Sequence, residues 1–276
     1  MKKGIKKING LEVLGIIIAI IYMSPFYILF INAFKTKRDI LVNTISWPKP
    51  FVFTNFPEAI ESMNFLKVFF NSLRVTTLSI VVLIVFCSMA AWVLVRNKNK
   101  ISTIIFMFFV AAMLIPFQSV MLPLVKVMGK LNFMNKVYGI IFMYLGFGCS
   151  MSIFLFHGFI NSSIPISLEE AAIIDGCHKP QLFFKIVFPL LKPISVTVAI
   201  LNIIWIWNDY LLPSLVLQRK ACRTIPLATA YFFGQFSTSW HLAMAALTLT
   251  ILPVVLFYIF MQKSIIKGVT AGSLKM

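Results

Sequence analysis

The chain reads as long apolar runs broken by short polar ones. A membrane span needs about 20 consecutive apolar residues, and six stretches meet that length, at about residues 11–34, 68–95, 101–124, 137–160, 190–212 and 242–261. The first is interrupted by Pro25, which is expected to kink it, and the third contains Pro116 and Pro123. Between the first two runs lies a proline-bearing segment, residues 35–67, with Trp47-Pro48 and an amphipathic stretch at 56–66. It is too polar to enter lipid and is expected to hold one short interfacial helix. A second polar loop, residues 216–240, carries Arg219, Lys220, Arg223 and Pro226. Arg74 and Arg96 stand 22 residues apart, about 33 Å of helix, so Arg74 reads as an anchor reaching back to the interface. Gly146, Gly148, Ser150 and Ser152 place small residues on one side of the fourth run, the device that lets helix backbones approach inside a membrane.

Composition agrees. Of 276 residues, 60% are hydrophobic and 12% charged, with 28 Phe and 14 Met. A soluble domain of this size cannot bury so much apolar surface, and the class is all-α integral membrane. The formal charge of +17 comes from bases at the ends of apolar runs. That placement matches lysines facing acidic headgroups and excludes a nucleic-acid groove. Lys2, Lys3, Lys6 and Lys7 before the first run imitate a signal peptide, but no small-residue cleavage site follows, so the run is read as a retained span. Six spans place both termini on one side, where Lys and Arg number 13 against 12 on the other. Only the compact clusters at residues 2–7 and 96–100 lean toward that side being cytoplasmic. Cys87, Cys149, Cys177 and Cys222 have no short pair spacing, and His157, His178 and His241 stand apart. No metal site, disulfide framework or catalytic nucleophile is expected. Gly129-Lys130 is followed by Leu131, without the glycine that a phosphate-cradling loop requires.

The longest polar interruption in the second half runs from Pro165 to Pro193. Ser167 and Glu170 have capping-box spacing, Gly176 after Asp175 supplies a left-handed helix end, Pro180 suits the first turn of a second helix, and Pro189 marks its break. The expectation is two short helices set at an angle and joined at Asp175-Gly176, between the fourth and fifth spans. With small Ala171 and Ala172 beside charged Glu170, the pair is suited to lie in another protein's cleft.

Glu170-Ala171-Ala172, then Gly176, Ile186 and Pro189 at their spacing, resembles the EAA loop of ATP-binding-cassette (ABC) importer permeases. Phe188 departs from the family's usual Ile-x-Leu-Pro ending. The resemblance extends to the carbohydrate-uptake permeases similar to the second membrane subunit of the maltose permease. It runs through Phe34-Lys35-Thr36-Lys37, Phe70-Asn71-Ser72-Leu73, Ile115-Pro116-Phe117-Gln118, Trp207-Asn208-Asp209-Tyr210 and the stretch from Lys267 to Lys275.

The resemblance implies a heteromeric importer in the bacterial cytoplasmic membrane, with both termini cytoplasmic. It implies a second permease subunit, two ATPase subunits and an extracellular sugar-binding protein as partners. This chain would bind no cofactor, ATP and magnesium belonging to the ATPase. The coupling residues would be Glu170, Ala171, Ala172, Asp175, Gly176 and Pro189, with Gly268 and Gly272 in an ATPase-contacting tail. The implied organisation is an N-terminal span and external segment at 1–66, a core of five spans at 67–262, and a cytosolic tail at 263–276. The substrate would be an oligosaccharide.

Asp209 lies near the outer end of the fifth span, and two readings are equally open: an outer-gate or sugar-contact residue, or a cap in an interfacial cluster with Trp207 and Asn208. Those two residues and Gln118 are the other candidates for substrate or gate. Two rivals remain, a stand-alone secondary transporter or channel and a membrane-embedded enzyme. Intramembrane charge pairs would mark the first and clustered His, Asp or Glu the second, and the sequence displays neither clearly.

Overall fold

The computed structural model describes residues 9–234 and 239–273, the side chains at 257, 260, 261 and 263–273 excepted. The basic cluster at 2–7 and Lys275 lie outside them. All regular structure among the described residues is helical, and the backbone separates into two units, residues 1–65 with 229–256 and residues 66–228 with 257–276.

In the first unit, α1 (Gly10–Asn32) runs unbroken through Pro25. Proline has no N–H for the carbonyl four residues back, and the Ser24 hydroxyl donates to that Ile21 carbonyl at 2.8 Å. The segment after α1 holds two short helices, not the one expected: α2 (Lys37–Val42) and α3 (Asn55–Met63). Thr36 caps α2 by accepting from the Asp39 N–H. In α3 the buried residues Asn55, Ala59 and Met63 recur every fourth position as one stripe. Lys35 is only 1% exposed, its ammonium donating to the Asn43 and Thr44 carbonyls at 3.0 and 3.2 Å. Burial lowers the Lys35 pKa, opposed by Asp39. The Asn55 amide donates to the carbonyls of Ala33 and Lys35, both at 2.9 Å. Phe34 packs against Phe51, Phe53 and Phe56. A polar sequence therefore folds tightly back on the end of α1.

The second unit contains α4 (Phe65–Arg96), α5 (Lys100–Ala112), α6 (Phe117–Lys130), α7 (Val137–Ser163), α8 (Ile166–Ile174), α9 (Lys179–Leu190), α10 (Lys192–Asn208), α11 (Leu211–Val216) and α12 (Ile225–Ala230). Leu83, Cys87 and Ala91 of α4, Met143, Tyr144 and Phe156 of α7, and Val198 and Ile206 of α10 share one buried core. Gly148 is needed where these helices meet: a Cβ there would come within 2.9 Å of Leu83 and 3.1 Å of the Asn202 amide oxygen. Asn202, 7% exposed, donates to the Ser152 hydroxyl at 3.4 Å and to its own helix at 2.8 Å. Gly148 and Ser152 thus form the close-packing pair, whereas Gly146 is exposed and meets nothing. α13 (Trp240–Ser273) follows the second polar loop, and that loop itself contains a short turn at Lys220–Cys222 and α12.

α1, α4 and α7 are each long and apolar enough to cross a membrane, and the described apolar part of α13, Trp240–Leu256, is shorter. The expected third span is not straight. α5 and α6 meet at 104°, and Pro116, extended in backbone and without an N–H, stands at the corner as the N-cap of α6. The expected fifth span begins at a corner, since α9 and α10 meet at 75°, and it is interrupted at Asp209, where the chain leaves the helix before α11.

Candidate functional site

α8 and α9 form the expected helical pair, with different starting chemistry. Pro165, not Ser167, occupies the N-cap, and no side chain caps α8. The fixed φ of proline starts the helix early and carries Ser167 into the first turn, so the capping box with Glu170 does not form. The end of α8 is as expected. Gly176 has φ +83°, its N–H donating to the Ile173 carbonyl and that of Cys177 to the Ala172 carbonyl, both at 3.0 Å. This double closure needs a left-handed residue. Pro180 stands in the first turn of α9. Residues Leu182–Val187 widen to π-helical register. Pro189 offers no N–H to the Lys185 carbonyl, so the bonding shifts by one residue and the Phe188 N–H reaches Phe183. The break comes at Leu191, two residues past the expected position.

The pair has two faces. Ala172, Leu182, Phe183 and Val187 are buried, each 6% exposed or less. Glu170, Ala171, Asp175, Gly176 and Pro189 are exposed, with Leu168, Ile173, Ile174 and Phe184 beside them. Of the predicted coupling residues, Ala172 alone faces inward.

The residue that sequence reading missed is Glu169, 4% exposed. One of its oxygens accepts from Arg96 Nε at 2.9 Å and from a terminal Arg96 nitrogen at 2.7 Å, and the other accepts from the Trp92 indole at 3.0 Å. The same Arg96 nitrogen donates to the Ile164 carbonyl at 3.0 Å. Both carboxylate oxygens are thus held by the last turn of α4, and α8 is fixed to that helix at a buried, hydrogen-bonded ion pair. Neighbouring residues on a helix point about 100° apart, so fixing Glu169 inward sends Glu170 outward.

Asp209 lies at the other end of this unit. One oxygen accepts from Tyr144 at 2.9 Å, and the other accepts from the Leu211 and Leu212 N–H groups at 2.9 and 3.4 Å. It caps α11 and ties α10 to α7. Trp205 packs edge-on against Tyr144 and Trp207 against Phe69. The Asn208 amide turns back to its own helix at Ile204, and Gln118 is exposed with no hydrogen bond to this group among the described residues. Asp209 is therefore joined to Tyr144, on which Trp205 packs, whereas Trp207 packs on Phe69 and Asn208 and Gln118 are not drawn into the group. At this end Asn71 donates to the Ala221 and Arg223 carbonyls, and the Ser72 hydroxyl accepts from the Ile225 N–H. Gly268 and Gly272 lie on the C-terminal part of α13, known there as helical backbone.

Residues 83–271 match the family model described as the binding-protein-dependent transport system inner membrane component. The chain is 48% identical over 265 residues to the probable starch degradation products transport system permease protein AmyC of Thermoanaerobacterium thermosulfurigenes, covering 96% of each. It is 36% identical to the melibiose/raffinose/stachyose import permease protein MelC of Bacillus subtilis, covering 98% of each. Among solved structures, it is similar in fold to a chain of a bacterial ABC transporter involved in the import of the acidic polysaccharide alginate. That match has a TM-score of 0.74 at 23% identity, over 91% of this chain and 93% of that one.

Proposed function

The chain belongs to the family of binding-protein-dependent transport system inner membrane components, and from that premise we propose that it carries an oligosaccharide across the cytoplasmic membrane as one permease subunit of an ABC importer. The starch-product and raffinose-type permeases among its relatives support the substrate class. The carrying observation is the two-faced α8–α9 pair, one side fixed to α4 through Glu169 and the other side free.

The free side docks on a cytosolic ATPase. Glu170 meets a basic residue there, Ala171 lets the surfaces approach, and Gly176 sets the angle of the pair. ATP and magnesium are held by that partner, and closure of two ATPase subunits pushes the pair. Arg96 passes the movement into α4, and the bend at Leu191 passes it into α10, so both helices rock together. The cavity opens outward to take sugar from an external binding protein and reopens inward to release it. A second permease subunit forms the other wall.

In this reading the membrane is crossed six times, the bent α5–α6 pair serving as the third span and α10 as the body of the fifth. Both termini and the α8–α9 pair are cytoplasmic, and the Asp209 end is external. Residues 1–66 form the first span and an external segment, 67–262 the core, and 263–276 a tail in which Gly268 and Gly272 touch the ATPase pair. Asp209 with Trp207 stands at the outer gate.

Capture of the full chain from membranes tests this. A second permease subunit and an ATPase are expected to copurify, and sugar uptake by the reconstituted assembly is expected to require ATP. Uptake by the purified chain alone would establish the stand-alone transporter instead.

A further inference from the structure

Outside the coupling pair, an open cavity of about 760 Å³ lies where α4 turns into α5 beside the end of α7. Its rim is polar and basic, formed by Asn97, Lys98, Lys100 and Thr103, with His157 and Asn161 opposite. No carboxylate lines it. Glu169, beside the last turn of α4, is paired with Arg96. Lys98 and Lys100 form no ion pair among the described residues. The His157 ring lies flat on Phe106 at 3.9 Å, and this stacked pair walls one side.

The cavity does not end at its polar rim. Leu94 belongs both to it and to a second groove of about 290 Å³, which continues one to two turns deeper between α4 and α5. Met89, Ala90, Val93, Ile105 and Phe109 line that groove, and every lining residue is apolar. A basic mouth at a helix end, leading into a wholly apolar channel along the helices, has the polarity profile of a single amphiphile with a negative head. A free anion would fill only the mouth, and a soluble peptide would have no use for the channel.

We propose that the space between α4, α5 and α7 is a binding site for an anionic phospholipid, its phosphate headgroup at Lys98 and Lys100 and one acyl chain in the groove between α4 and α5. Cationic side chains next to a membrane surface attract acidic headgroups, and burial of each methylene adds to the attraction. The site adjoins the last turn of α4, where Arg96 holds Glu169, so the lipid braces the helix end that anchors α8. Assigning it to the cytoplasmic leaflet rests on the functional reading above; the ligand class does not.

Native mass spectrometry of the full chain tests the site, using detergent doped with equal amounts of phosphatidylglycerol and phosphatidylcholine of matched chains. Phosphatidylglycerol is expected to be retained preferentially. The double substitution Lys98→Gln and Lys100→Gln should weaken that retention about thirtyfold, and Lys98→Arg with Lys100→Arg should keep it. Ala90→Phe, which fills the groove, should reduce retention while leaving the lysines in place. Equal retention of the two lipids overturns the proposal, as does inorganic phosphate competing as well as the lipid. Loss of the lipid when the second permease subunit joins the chain would also overturn it, since that subunit would then own the surface. Preferential retention in a chain that recruits no ATPase would leave the site standing and defeat the functional reading alone.

Discussion

The Arg96 guanidinium and the Glu169 carboxylate meet at 2.7 Å, with their side chains 17% and 5% exposed. This contact joins α8 to the end of α4 and decides which residues of the loop are left for a partner. Trp92 supplies the remaining donor to the carboxylate, so neither oxygen of Glu169 is free to leave the protein.

Removing one member of a buried pair strands the other charge. Glu169→Ala and Arg96→Ala should each cost about 3–5 kcal/mol, whereas Glu170→Ala, at an exposed position, should stay within about 0.5 kcal/mol. Thermal melting of the detergent-solubilised chain distinguishes them. Equal effects at 169 and 170 would contradict the assignment of faces.

The angle of the α8–α9 pair depends on Gly176 at φ +83°. A Cβ there meets no neighbour, so the penalty is conformational and not steric contact. Gly176→Ala should destabilise by about 1–2 kcal/mol, and Gly176→Asn by less, since Asn tolerates this region. Melting midpoints of the two variants provide the check.

Asp209 offers a way to separate capping from sugar contact. Asn is as good a helix cap as Asp, so Asp209→Asn should keep α11 and the melting midpoint in place, while the gate role lowers uptake and a purely capping role leaves it near wild type. Asp209→Ala loses the cap and the bond from Tyr144, and should cost about 2 kcal/mol. Sugar uptake that collapses in Asp209→Asn with unchanged melting would assign Asp209 to the gate.

At Gly148 an added side chain runs into Leu83 and Asn202. Gly148→Val should lose about 1–3 kcal/mol by overpacking, and Gly146→Ala, where nothing lies within 4 Å, should be neutral or slightly stabilising. Parallel melts of the two variants test whether α7 packs through this face.

Much of this was legible from local chemistry. Gly176 and Pro180 gave the joint of the pair because each acts through its own backbone, and apolar runs gave the helices because run length is a local property. The failures have a common physical origin. Glu169 and Glu170 are adjacent and identical, and the one that is buried is picked by Arg96 and Trp92, 73 and 77 residues away. Ser167 and Glu170 had capping-box spacing, but Pro165 had already set the helix start. Pro25 and Pro116 look alike in sequence. The first is accommodated by the Ser24 hydroxyl and the second stands at a 104° corner, a difference set by neighbours and packing. Lys35 lies in a segment read as too polar to enter lipid, and its burial follows from Asn43 and Thr44 folding back over it.

The central claim is that the exposed side of the α8–α9 pair is driven by an ATPase on another chain. Its most direct test is Glu170→Lys in the assembled importer in proteoliposomes, measuring ATP hydrolysis and sugar uptake together. The account predicts a normally inserted, normally melting variant that has lost uptake or whose hydrolysis no longer drives it. Full ATP-driven uptake by Glu170→Lys would contradict it.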